Sequence, residues 1–168
     1  MEPPELRYSD GPTVEVVLVI AAPLDVVWTC VSDIQLPARF STELLGAEWL
    51  DGATGAHVGA RFVGHNRHPA IGDWDTTSTI YACEPGHVLG WAVGDIEAPS
   101  ARWCFTLAPE GAGTRLTQWM QMGPARSGIN LAIDTMPDKE SKILRRRLAE
   151  HRANMERTLV GIKETAEA

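Results

Sequence analysis

No stretch of the 168-residue chain approaches the ~20 continuous apolar residues of a membrane-spanning helix. Stable membrane insertion is therefore not expected. Basic residues are scarce: 15 Lys and Arg against 22 Asp and Glu give a net charge of −7, the reverse of a nucleic-acid-binding footprint. Cysteine is limited to Cys30, Cys83 and Cys104, an odd number with no close pair, which reads as reduced, buried thiols in a cytoplasmic protein. Gly-x-Ser-x-Gly, a phosphate-cradling Gly-x-x-x-x-Gly-Lys loop and a dinucleotide fingerprint are all missing, so covalent, nucleotide-dependent and redox chemistry draw no support from motifs. Neither Cys-x-x-Cys nor His-Glu-x-x-His occurs, and no metal or cofactor is called for. The N-terminus (Glu2, Pro3, Pro4, Glu5) is acidic and proline-rich, unlike a signal or transit peptide.

What is present is more telling. From Asp138 to Val160 there is neither Gly nor Pro, whereas everything upstream is punctuated by both. Ile143, Leu144, Leu148, Met155, Leu159 and Ile162 recur at three-, four- and seven-residue steps, the stripe of an amphipathic helix. Pro137 suits its first turn, and Asp138 and Glu140 complement the positive helix end. Ahead of it, β-branched and aromatic runs bounded by turn residues predict seven strands, over 13–21, 44–50, 59–68, 74–83, 87–93, 101–107 and 114–122. Two short helical stretches, from Ala22-Pro23 and from Pro37, fall between the first two strands, and 123–136 reads as a long connection. Antiparallel strands with segregated helices define an α+β class, a curved sheet wrapped around the terminal helix.

Strand alternation sorts the wall of that sheet. Phe62, Gly64 and Asn66 share one face, as do Trp74, Thr76, Ser78 and Ile80; Leu89, Trp91 and Val93; Trp103, Phe105 and Leu107; and Leu116, Gln118, Met120 and Met122. These inward sets are mostly apolar but carry several uncharged polar groups. A closed core tolerates such groups only when each is hydrogen-bonded, whereas a wet or ligand-filled cavity accommodates them. Six tryptophans against two tyrosines add large flat surfaces suited to stacking on a ligand.

In order and spacing, several short motifs are similar to the START-like, or SRPBCC, superfamily with its helix-grip fold, in the polyketide cyclase/dehydrase and lipid-transport branch. They are Val19-Ile-Ala-Ala-Pro-Leu-Asp-Val-Val-Trp28, Gly59-Ala-Arg-Phe62 with Asn66-Arg67, Trp74-Asp-Thr-Thr-Ser78, Glu84-Pro-Gly86 and Gly113-Thr-Arg115. The resemblance covers residues 13–164 and implies a deep hydrophobic pocket between sheet and helix. It frames residues 1–12 as a flexible lead and 13–168 as a single START-like ligand-binding domain. Members carry lipids and hormones, close aromatic rings or bind proteins, so fold alone selects no activity.

Candidate chemistry is sparse. His65 and Arg67 point opposite to Asn66 and His68 on a strand, which argues against a metal claw; the favoured reading makes both histidines exposed hairpin-end residues, the alternative a polar anchor at the strand end for a ligand oxygen beside Asn66. Asp73 and Asp75 bracket Trp74 and read as solvated edge residues. Arg145, Arg146 and Arg147 lie ~100° apart on a helix and fan around its outer surface. His151 lies near the sheet-facing side, either at the cavity floor or on an exposed flank.

The leading expectation is binding, with transport or sequestration, of a hydrophobic small molecule, lipid or polyketide-like. Trp74, Trp91 and Trp103 would stack on it, Phe62, Met120, Met122, Leu148 and Met155 would form adaptable wall, and Asn66, Ser78 and Gln118 would be polar anchors. An aromatase/cyclase-type enzyme using the same cavity and a co-chaperone-like protein-interaction module are the alternatives. No catalytic residue is nominated.

Overall fold

A computed structural model describes residues 3–168. A short 3-10 turn (Tyr8–Asp10) precedes strand β1 (Thr13–Ile20), then helix α1 (Leu24–Val31) and a second 3-10 turn (Leu36–Arg39). Strands β2 (Leu44–Trp49), β3 (Arg61–His68), β4 (Gly72–Glu84), β5 (Val88–Gly94), β6 (Pro99–Glu110) and β7 (Gly113–Met122) follow. Helix α2 (Gly128–Thr135), a 3-10 turn (Pro137–Lys139) and helix α3 (Glu140–Glu167) complete the order. The seven strands form one sheet, β1-β7-β6-β5-β4-β3-β2, with antiparallel neighbours throughout. This is the α+β class anticipated from the pattern and the helix-grip architecture implied by the resemblance.

Register places the inward residues in rows across the strands. Phe62, Ser78, Val93, Ala101 and Met122 form one row, and Trp91, Trp103, Met120 and Val14 a second. Leu89, Phe105, Gln118 and Val16 form a third. A bulge at Tyr81 breaks the β4–β5 ladder and bends the sheet, as an extra residue in one strand does. The Tyr81 ring covers Gly90 so closely that a Cβ there would lie 2.6 Å from it, so the bend requires glycine at 90.

The 28 residues of α3 span roughly 42 Å and pack against β1, α1 and α2. Leu144, Arg147, Met155, Thr158, Leu159 and Ile162 are its buried face. Toward the C-terminal half, Leu159 and Ile162 meet a dry core that includes Ile20, Val27 and Leu116. Thr114, fully buried at the edge of this region, donates its hydroxyl to the Ala22 carbonyl at 2.8 Å.

Two expectations need correction. The connection over 123–136 contains α2, whose start is fastened by the Ser127 N–H donating to Asn130 Oδ1 at 2.8 Å. Ile129 and Ile133 turn toward the core from successive turns of that helix. The lead expected over 1–12 falls partly on residues 1–2, outside the described residues, but from Leu6 onward it is docked. The Leu6 N–H donates to Ser141 Oγ (3.0 Å), the Tyr8 N–H to Glu140 Oε1 (2.8 Å), and the buried Tyr8 hydroxyl to the Ala125 carbonyl (2.6 Å). The two backbone bonds tie the segment to the start of α3, and the Tyr8 ring anchors it against the chain between β7 and α2.

Candidate functional site

Between the curled sheet and the middle of α3 lies a cavity of about 430 Å³, within the usual range for small-molecule sites. Ten of the eleven residues expected to face a ligand line it: Phe62, Asn66, Trp74, Ser78, Trp91, Trp103, Gln118, Met120, Met122 and Met155. Leu148 does not. It sits on the flank of α3, half-buried against the core, because the cavity-facing row runs through Arg147, His151, Met155 and Thr158.

The aromatic wall is ordered. Trp91 and Trp103, paired across β5 and β6, stack with centroids 6.3 Å apart and planes 10° from parallel. Phe62 meets Trp91 edge-on at 5.9 Å, and Trp49 meets Phe62 edge-on at 5.8 Å. From the helix, His151 stands edge-on over Trp103 at 5.5 Å. His151 is half-buried at the cavity wall, and desolvation of its ring, then the neighbouring Arg147 and His68, pushes its pKa down to about 3. A neutral imidazole therefore faces the cavity, offering one N–H donor and one nitrogen acceptor.

Gln118 is only 6% exposed and its Oε1 finds no hydrogen-bond partner among the described residues. Its row neighbours Leu89, Phe105 and Val16 are all apolar, so the strand register offers the amide nothing to bond. Asn66 reaches only the Gly64 carbonyl, at 3.4 Å. An unpaired buried amide costs roughly 1–3 kcal/mol.

The rim was misread from sequence at two places. Arg147 is not on the outer surface but 8% exposed and part of the cavity lining. Its Nη2 approaches Glu43 Oε1 at 2.8 Å, an ion contact without hydrogen-bond alignment, and its Nη1 lies 3.6 Å from Glu150 Oε1. His68, expected at an exposed hairpin end, is largely covered and bonds Glu150 Oε2 at 2.8 Å. The β3–β4 hairpin is thus fastened to α3 by a Glu43–Arg147–Glu150–His68 chain. The signal was available: Arg147 is three residues after Leu144 and four before His151, on the buried row. Charge alone had placed it outside.

Elsewhere the polar residues are where alternation put them. His65 pairs with Asp75 at 2.8 Å and Arg67 with Asp73 at 2.8 and 3.2 Å, all on the solvent side. The three cysteines are unpaired and half-buried, and burial raises each thiol pKa. Among the described residues no helix is long and apolar enough to cross a membrane.

Chemically, the arrangement can hold a flat apolar ligand against stacked indoles and offer it neutral hydrogen-bonding groups. The family described as polyketide cyclase / dehydrase and lipid transport matches residues 12–159. Among solved structures, the polyketide-cyclase-like protein Cgl2372 of Corynebacterium glutamicum is 31% identical, with 92% of this chain and 91% of that one covered and a TM-score of 0.66. The ZhuI aromatase/cyclase of Streptomyces sp. R1128 is 18% identical over 93% of each chain (TM-score 0.65). The di-domain aromatase/cyclase StfQ of the steffimycin biosynthetic pathway is 18% identical over 92% of this chain and 50% of that one (TM-score 0.68). No curated protein matches the chain.

Proposed function

Since this chain belongs to the polyketide cyclase/dehydrase and lipid transport family, we propose that it binds a hydrophobic, ring-bearing small molecule in the cavity between sheet and α3, as a carrier or sequestering protein. The observation that carries this reading is the pairing of a hollow of about 430 Å³ with a stacked Trp91–Trp103 wall at its side. A sheet and helix selected only to pack would fill that space to crystal-like density, as Leu159, Ile162 and Leu116 do at the other end. Three unpaired thiols suit a reducing, cytoplasmic setting.

The test is native mass spectrometry of protein purified from its own host, with solvent extraction of any adduct, alongside titration with the neutral fluorescent reporter N-phenyl-1-naphthylamine. One equivalent of adduct or reporter, displaced in a Met155→Trp variant that fills the hollow, supports the reading. No adduct and no reporter binding would overturn it.

A second reading, ring-closing turnover in the same cavity, is favoured by one feature: the neutral His151 imidazole held edge-on at Trp103. Cyclisation can rest on a shaped pocket and one proton-handling group. Turnover of a poly-β-keto thioester that is lost in His151→Gln, with reporter binding retained, distinguishes the enzyme from the carrier.

A further inference from the structure

Within the cavity reading just given, the polar groups carry information about which ligand fits. Gln118 and His151 face the same space from opposite sides, one from β7 and one from α3. His151 sits over Trp103, whose row neighbour is Met120, and Gln118 lies two residues from Met120 on the same face of β7. His151 therefore stands over the row next to that of Gln118, two rows whose spacing along the strand is roughly 7 Å. Both are neutral. A primary amide and an imidazole each present a donor and an acceptor, so they match hydroxyl and carbonyl oxygens on a ligand lying against the indoles.

Among the described residues, the only cation in the lining is already compensated. Arg147 stands between two carboxylates, Glu43 at 2.8 Å and Glu150 at 3.6 Å. A ligand ending in a carboxylate would meet Glu43 in the lining, with Arg147 already engaged and no cation left over to receive it.

We propose that Gln118 and His151 are specificity-determining residues that read neutral oxygen substituents on a flat aromatic ligand, while Glu43 excludes ligands that end in a carboxylate. Fatty acids and aromatic acids are then rejected, and phenols and aryl ketones accepted, by the same hollow.

Two naphthalenes of one shape test this by isothermal titration calorimetry at pH 8: 6-acetyl-2-naphthol and 6-hydroxy-2-naphthoate. The ketone should bind the wild-type protein about tenfold more tightly than the acid, the equivalent of one lost charged contact. Gln118→Leu should weaken the ketone about fivefold without lowering the melting temperature, as loss of one neutral hydrogen bond does. Glu43→Gln leaves Arg147 with one carboxylate fewer and should close most of the gap between the two compounds. Equal affinity of the wild-type protein for ketone and acid, or a gap untouched by both variants, overturns the proposal while N-phenyl-1-naphthylamine still binds. Failure of all three compounds overturns the cavity reading beneath it.

Discussion

The two halves of the interface between sheet and α3 are built from the same elements yet differ in kind. At the C-terminal half of the helix, Leu159 and Ile162 close on Ile20, Val27 and Leu116, all almost wholly buried, and the buried polar group there, Thr114, has its partner. Along the middle of the helix, Met155, His151 and Arg147 stand back from Trp91, Trp103 and Gln118 across an open space, and the Gln118 carbonyl has none. One end of the fold supplies stability and the other holds unsatisfied groups in readiness. That division is what a binding protein requires, since a site whose every group is already satisfied has nothing to offer a ligand.

The largest expected effect breaks the solid end. Leu159→Ala removes a side chain from a tightly packed site and should cost about 3 kcal/mol in urea unfolding, as large-to-small core changes do. A loss below about 1 kcal/mol would mean that the dry end relaxes freely and the contrast is false. Next comes the hollow end, probed by pH. His151 is held neutral when folded, with its pKa near 3, whereas the unfolded chain returns it to about 6.5. The unfolded state therefore takes up the proton first as acidity rises. The contribution of neutral His151 is fully present above pH ~6.5 and is lost as pH falls toward 3. Between pH 6.5 and 4.5 the wild-type protein should lose about 2 kcal/mol more than a His151→Gln variant, at most ~1.4 kcal/mol per pH unit. A zero difference would show the ring open to water and the hollow far wetter than its indole walls imply.

A smaller effect sits within the solid end itself. Gly161, one position before Ile162, lets the Phe40 ring come so close that a Cβ would lie 2.4 Å from it. Gly161→Ala should cost about 1–2 kcal/mol through overpacking, even though alanine favours a helix by ~1 kcal/mol. Phe40→Leu in the same chain should recover most of that loss, since the two changes share one contact.

How far this division could be seen beforehand depended on which rule governed each residue. Strand alternation is strict, so Phe62, Asn66, Ser78 and Gln118 were placed on the inner face from their parity alone, and the sheet register then brought them together. Helical position is looser, because ~100° per residue leaves flanks. Leu148 went to a flank on that account, and hydrophobicity alone had argued for the seam. Arg147 shows the converse failure: its spacing pointed inward, but its charge argued for solvent until Glu43, far away in sequence, supplied the partner. Helix α2 was hidden by Gly123, Pro124 and Gly128 around it, although Ser127 and Asn130 have the spacing of a reciprocal cap. Residues whose surroundings are local were readable; those completed by a distant partner were not.

The smallest expected change in stability is the sharpest test of the comparison. Gln118→Leu replaces an amide whose carbonyl lacks a protein partner with an apolar group of similar size among Leu89, Phe105 and Met120. In a solid core that held a satisfied glutamine, the exchange would break hydrogen bonds and cost ~1–3 kcal/mol. Here no protein bond to the carbonyl exists to be broken, so urea unfolding of the ligand-free protein should shift by less than about 0.5 kcal/mol, and toward greater stability. A clear destabilisation would mean that Gln118 is bonded in the native protein, and the hollow half would then be core like the other. A neutral result means that glutamine is not there for the fold: the chain keeps an unsatisfied amide where leucine would serve folding equally well, and what that amide can still do is bond to something that enters the cavity.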